Sequence, residues 1–341
     1  MNILIRLPNW LGDVVMSSAF VHACAIRYPE SCIDVIVKKT HAPLLSAFHG
    51  VHTVYELDRR ATASFARIWR FSRDIAARKR YDLFFSLPGS FSAALSGFLS
   101  GSRVRIGYRG DMRSFLLTQA YVKPASLHRV QEYLHLLDAY SRTVVSQNPV
   151  ARLRIAALND ALNKLKTMLR EVDFPRPWIL FNPNSEAQSR RIPLEKAVAI
   201  ADGILSSGAG TLILPGAKSD RPFTKSLKSA LANPKRCMDM AGATDCFELA
   251  VFCLAADLTV TTDSGIAHLA AAVDRPVVVL FGAGDESNTA PFVGDNVHII
   301  RAPGISCAPC VKNVCVHGWP RCLLNLDAPE ITRKIRALCS E

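Results

Sequence analysis

Long hydrophobic runs are missing from this 341-residue sequence. No uninterrupted apolar stretch reaches the roughly 20 residues that a bilayer-spanning helix needs, which argues against a helical membrane anchor. A secretory leader is not visible either, because Asn2 and Arg6 flank only three apolar residues and Pro8 follows. The expected location is the cytoplasm. Acidic residues are few: 29 Asp and Glu stand against 41 Lys and Arg, leaving a net charge of +12. Aromatic residues make up only 8%. With no zinc-finger, ribonucleoprotein or helix-turn-helix signature, that pattern speaks against a nucleic-acid partner. The dinucleotide fingerprint G-x-G-x-x-G follows neither candidate first strand, which counts against a dehydrogenase.

Alternating apolar strand-like and helix-like segments are abundant. In the first half, 2–7, 32–37, 52–57, 81–87 and 102–108 read as strands. Helical patterns at 13–27, 41–48, 61–79 and 129–145 are interspersed with them. The alternation pauses around Pro149, Pro175 and Pro177, which bracket a helix at 157–170. It restarts with strands at 178–183, 211–216, 257–262 and 276–282, and helices at 193–206, 219–231, 246–256 and 265–273. This order predicts an α/β protein with two Rossmann-like domains, their parallel sheets facing across a cleft. The expected division is 1–155, 156–327 and a C-terminal helix over 328–341.

Three strand-to-helix turns carry the polar groups. In "LPNWLGDVVMSSAF" (7–20), Asp13 follows Gly12 where a strand gives way to a helix. A first-turn carboxylate is favoured by the helix dipole, and this position is also where α/β enzymes place their chemistry. In "TVTTDSGIAHLAAAVDRPVVVLFG" (259–282), Asp263, Ser264 and Gly265 form a turn whose helix start suits a phosphate, with His268 one turn further. An ordinary helix cap at Asp263 or Ser264 is compatible with the same residues. "FNPNSEAQSRRIP" (181–193) adds Asn184, Ser185, Arg190 and Arg191, and "LPGAKSD" (214–220) a third polar turn.

Taken together, "NWLGD", the loop 184–191, "LPGAKSD" and "TDSGIAHLAAAVDRPVVVLFG" resemble glycosyltransferase family 9, notably its ADP-heptose:lipopolysaccharide heptosyltransferases of the type II kind. The resemblance runs from residue 2 to about 335. It implies a GT-B fold, inversion at the anomeric carbon and no cofactor for catalysis. Carried over by position, it makes Asp13 the general base. It places Ser185, Arg190, Asp263, Ser264, Gly265 and His268 at an ADP-sugar donor. The implied acceptor is phosphorylated lipid A–core at the anionic inner-membrane surface. A related transferase with another sugar nucleotide or acceptor is the alternative.

Charge and cysteine are unevenly placed. Residues 1–150 hold 19 Lys and Arg against 10 Asp and Glu, whereas 151–341 hold 22 against 19. Arg59, Arg60, Arg67, Arg70 and Arg73 cluster around one helix, and Arg67, Arg70 and Arg73 are the expected acceptor contacts. A merely solvated basic helix is the plainer reading. Cys307, Cys310, Cys315 and Cys322 follow C-x2-C-x4-C-x6-C. Four thiolates in that loop suit structural zinc, an iron–sulfur cluster, or simply free or redox-paired thiols.

Overall fold

Strands buried on both faces cannot alternate apolar and polar residues, so they read as continuous apolar runs. The computed structural model describes residues 1–58, 64–110, 112–144, 151–171, 174–206, 210–292 and 294–340. Its apolar runs become the inner strands of two six-stranded sheets. The first sheet contains β1 (Asn2–Arg6), β2 (Cys32–Lys38), β3 (Val51–Leu57), β4 (Leu83–Ser86), β5 (Val104–Tyr108) and β6 (Gln119–Tyr121). The second contains β7 (Trp178–Asn182), β8 (Thr211–Leu214), β9 (Cys237–Asp239), β10 (Leu258–Thr262), β11 (Val277–Phe281) and β12 (Val297–Arg301).

Every recorded strand pair is parallel. The orders are β3-β2-β1-β4-β5-β6 and β12-β11-β10-β7-β8-β9. Counted within each sheet, both are the doubly wound order 3-2-1-4-5-6. The α/β expectation with two Rossmann-like sheets is therefore met. In each sheet the winding reverses beside the first strand, between β1 and β4 and between β7 and β10. That reversal parts the loops beyond the strand ends and leaves a crevice.

The chain divides into two compact units, Met1–Arg154 and Ile155–Glu341. In the second, the final helix Ala328–Ser340 places Ile331 and Ile335 in the same core as Phe181, Ile200 and Val260.

Local chemistry explains where expectation and structure part. The predicted helix 13–27 is two pieces, Leu11–Met16 and Ser18–Arg27. Between them the Ser17 hydroxyl donates to the Val14 carbonyl at 2.6 Å, competing with the helical ladder. The segment at 41–48 is a 3₁₀ helix, Lys39–Ala47, with Pro43 inside it. The helix Phe91–Leu99 and strands β6, β9 and β12 were not anticipated. Gly97 and the serines of 90–100 are weak helix formers, yet Gly97 is there to admit Phe84. A Cβ on it would lie 2.3 Å from the Phe84 ring. The expected start of the basic helix at 61, with Arg59 and Arg60, lies outside the described residues. No described helix is long and apolar enough to cross a membrane.

Candidate functional site

In the first unit, β1 ends in an arginine that the core encloses. Arg6 donates to the Leu7 carbonyl and, at 2.7 Å, to Asn9 Oδ1. Burial lowers the pKa of its guanidinium to about 10. A ring nitrogen of His41 lies 3.2 Å from the Asn9 carbonyl. The turn before Asp13 is thus clamped from two sides.

Asp13 stands in the first turn of Leu11–Met16 with its side chain 23% exposed. The Tyr133 hydroxyl donates to Asp13 Oδ1 at 3.3 Å, and Arg129 Nε lies 3.7 Å from the same oxygen. Burial, then the Asp13 charge, holds the Tyr133 hydroxyl well above the usual tyrosine range, so it remains a donor. Arg129 and Lys123 also flank Glu132, at 3.1 and 2.9 Å. These contacts orient the Asp13 carboxylate beyond what the helix dipole alone would do.

In the second unit, the ends of β7 and β10 meet through one buried amide. Asn182 Nδ2 lies 2.9 Å from the Asn184 carbonyl and 3.1 Å from both Thr261 Oγ1 and Ser264 Oγ. Thr262 donates to the same Asn184 carbonyl at 3.1 Å. The Ser264 hydroxyl is turned toward Asn182 and Thr261, and does not cap its own helix, Gly265–Ala272. Arg190 Nη1 sits 3.1 Å from Asp263 Oδ2. Arg191 donates to the Ser185 carbonyl at 2.5 Å and approaches Asp220 at 3.6 Å. His268 is buried on the first turn of its helix.

Among the described residues, the Asn184 side chain is unsatisfied here, as is Arg190 Nε. Asn184 is 3% exposed, and neither its Oδ1 nor its Nδ2 has a hydrogen-bond partner. Leaving a buried amide unpaired costs about 1–3 kcal/mol, which a polar ligand would offset. The sheet's reversal point therefore offers a buried amide, a helix start and a partly exposed guanidinium. That combination suits an anion carrying further polar groups.

The structure brings Arg190 onto Asp263 and Ser264 onto Asn182. The expectation had Arg190 directed at a diphosphate, whereas here its partner is Asp263. Sequence reasoning pointed to the Asn184 amide but missed Arg6, Arg129, Tyr133 and Asn182. Tyr133 lies 120 positions from Asp13 on an ordinary amphipathic helix, so no local pattern links them. A charge closing an apolar strand was the available signal for Arg6.

The basic and cysteine-rich segments are also placed. On the helix Phe65–Arg78, Ile68, Ser72 and Ile75 face inward while Arg67, Arg70 and Arg73 are exposed. Cys307, Cys310, Cys315 and Cys322 line a cavity of about 260 Å³. They do not close on a common point. Among the described residues, the one trio of His, Cys, Asp or Glu ligand atoms within 4.8 Å of one another lies elsewhere, on β2 and β3. The four cysteines thus sit in one segment around a single cavity, and that segment is anchored to its surroundings. It is tied to the 184–191 loop through Ser189 N–H to the Asn313 carbonyl (3.1 Å) and Cys315 N–H to Gln188 Oε1 (3.0 Å).

Gly284 guards the Arg190–Asp263 pair, since a Cβ there would lie 1.9 Å from Asp263 Oδ2. Gly284→Ala is expected to displace the carboxylate and destabilise the protein by about 1–3 kcal/mol, read as a lower urea midpoint. An unchanged midpoint would show that Asp263 is not held at this spot.

Comparison with known proteins bears on the family and the fold. The profile of Glycosyltransferase family 9 (heptosyltransferase) matches residues 68–319. Lipopolysaccharide heptosyltransferase 2 of Salmonella typhimurium is 28% identical over 350 aligned positions, covering 100% of this chain and 99% of that protein. Lipooligosaccharide heptosyltransferase 2 of Haemophilus influenzae is 29% identical, covering 88% of each. The structure of E. coli ADP-heptose lps heptosyltransferase II superposes with a TM-score of 0.84 at 25% identity, covering 100% of this chain and 99% of that one. The Veillonella parvula glycosyl transferase family 9 structure shares the fold, with a TM-score of 0.85 at 15% identity over 99% and 97% of the two chains. The chain therefore belongs to glycosyltransferase family 9 and is a glycosyl-transferring enzyme.

Proposed function

We propose that the enzyme moves heptose from ADP-L-glycero-D-manno-heptose to the lipopolysaccharide inner core, with inversion at the anomeric carbon. The observation that carries this reading is likeness over the full chain to proteins named heptosyltransferase 2. It is supported by the polar crevice at each sheet's reversal point.

Asp13 is the base in this reading. Its carboxylate takes the proton of the acceptor hydroxyl as that oxygen attacks the anomeric carbon. Tyr133 and Arg129 hold the carboxylate in place. The bond from the anomeric carbon to the donor phosphate breaks, and ADP leaves with the electron pair. Arg190, the helix start at Ser264 and Gly265, and His268 meet the charge that develops on the diphosphate. Ser185 and Asp263 complete the donor set. Arg190 then shares its guanidinium between Asp263 and phosphate, and Asn184 gains the polar partner it lacks. Protein groups alone balance the charge, so we assign the transfer no cofactor. A metal at the four cysteines would be structural, and the thiols would have to close around it.

The first unit is the proposed acceptor side. Beside Arg67, Arg70 and Arg73, Phe65 is 64% and Trp69 48% exposed on the same helix. Aromatic rings among arginines suit the headgroup region of an anionic lipid surface. The enzyme would act from the cytoplasmic side, peripheral to the inner membrane.

Three outcomes follow for purified protein. Asp13→Asn should lower kcat by ~10²–10⁴ while ADP affinity stays within a few-fold, since a positioned base contributes on that scale. Full turnover would remove Asp13 from the chemistry. Arg190→Ala should weaken ADP binding by about 1.5–3 kcal/mol by calorimetry. Asn184→Ala should also weaken it, yet leave the ligand-free protein within about 1 kcal/mol of wild type, because no hydrogen bond is lost. Unchanged ADP affinity in both variants would move the donor elsewhere. Neutralising Arg67, Arg70 and Arg73 together should raise the acceptor KM and release the protein from anionic vesicles, at about 1 kcal/mol per charge. The donor KM should not change. Loss of donor affinity instead would reverse the assignment of the two units.

A further inference from the structure

A second group of reactive side chains lies at the other edge of the first sheet, away from the Asp13 turn. Cys32 opens β2 and pairs with Asn2 at the start of β1, whereas Asp13 follows the end of β1. Cys32 and Asp34 are two residues apart on one strand and so share a face. The facing strand is irregular here. Its register passes from Ile33↔Val51 directly to Asp34↔Thr53, leaving His52 as the extra residue of a β-bulge. Bulges re-aim side chains. This one brings His52 Nδ1 to 3.6 Å from Asp34 Oδ1, and Cys32 Sγ lies 3.7 Å from that same oxygen.

The other carboxylate oxygen is engaged differently. Asp34 Oδ2 accepts from the Tyr81 hydroxyl at 2.6 Å and from Lys79 Nζ at 2.9 Å. Tyr55 supports Tyr81 at 3.0 Å, and Lys79 Nζ is also 2.8 Å from Cys32 Sγ. A buried ion pair accounts for Lys79, Tyr81 and a fully buried Asp34. It does not account for a bulge that brings His52 Nδ1, which also lies 3.1 Å from Thr53 Oγ1, to within 3.6 Å of the opposite oxygen, with a thiol beside it.

We propose that Cys32, Asp34 and His52 form a binding site for a divalent transition-metal ion of the zinc type, with Lys79 as its displaceable stand-in. Thiolate, imidazole and carboxylate are the ligands zinc selects. Tetrahedral Zn–S, Zn–N and Zn–O bonds put ligand atoms about 3.4–3.6 Å apart; the two distances to Asp34 Oδ1, 3.6 and 3.7 Å, already approach this, and the three ligand atoms all lie within 4.8 Å of one another, so the thiol and imidazole close on the ion by turning their side chains. The side chains reach the ion from a site that solvent can enter, since that of His52 is 70% exposed and that of Lys79 23%. Binding is balanced in charge and protons. The Cys32 thiol releases its proton to water, the metal joins the Cys32 sulfur, Asp34 Oδ1 and His52 Nδ1, and the Lys79 ammonium moves to solvent. Water fills the fourth position. Tyr81, donating to Oδ2, holds the ligating carboxylate in orientation.

Titration of the full chain with Co²⁺ under reducing conditions tests this, because a cobalt–thiolate bond gives a near-ultraviolet charge-transfer band. The four loop cysteines are present in every protein compared, so the wild-type minus variant difference isolates this site. Cys32→Ser should remove one thiolate-bound equivalent. His52→Ala should weaken that equivalent at least about 10-fold, as loss of a metal-supporting group does. Both variants keep the Asp34–Lys79–Tyr81 network, so folding is preserved. Lys79→Met should strengthen binding by removing the competing cation. Identical Co²⁺ spectra and affinities in wild type, Cys32→Ser and His52→Ala would overturn the proposal and leave the cluster as a buried ion pair.

Discussion

The second unit's site depends on one amide. Asn182 ends a strand buried along its whole length, where an unpaired polar group would be costly. Its Nδ2 reaches the Asn184 carbonyl, Thr261 and Ser264, tying the loop after β7 to the loop after β10. With that hub in place, Ser264 is drawn away from capping its helix. The loop to Arg191 is closed by the Ile192 N–H to Pro183 carbonyl bond at 2.9 Å, and Arg190 meets Asp263. The same hub leaves the Asn184 side chain buried and unpaired. A turn built only for stability would not retain such a group, and a turn built to receive a polar ligand would.

The first unit solves a similar problem with charge. Arg6 occupies the end of its first strand and holds the turn through Leu7 and Asn9. Beyond that turn, Asp13 is oriented by Tyr133 and Arg129 from a helix more than a hundred residues later. Both sites stand at the point where the strand order reverses, and both rest on a buried polar residue that closes the first strand. In a family 9 transferase, that repeated architecture suits two substrates, one carrying the hydroxyl and the other the leaving diphosphate.

Much of this was legible in the sequence because fully buried parallel strands are runs of Val, Ile, Leu and Phe. β1, β7 and β11 were visible for that reason, β10 by its β-branched Thr and Val residues, and so were the turns that follow β1, β7 and β10. Edge strands β6, β9 and β12 are short or half exposed, and their side chains carry no clear period. The helix Phe91–Leu99 was hidden because its glycine, Gly97, serves close packing on Phe84 and its serines are weak helix formers. Of the site, residues within one turn could be read together: Asp263, Ser264, Gly265 and His268, or Ser185 and Arg190. Partners joined only by the fold could not, as with Tyr133 and Asp13. Spacing alone left the cysteine loop open between a metal site and free thiols, and in the structure its four cysteines line one cavity.

The most direct test of the account is to follow the anomeric centre. Purified enzyme would be given ADP-heptose and a core acceptor truncated before its heptose, and the product linkage read by NMR. The account predicts one heptose transferred per ADP released, with the configuration opposite to that of the donor, and no transfer by Asp13→Asn. A product that retains the donor's configuration, or unimpaired transfer by that variant, would contradict it.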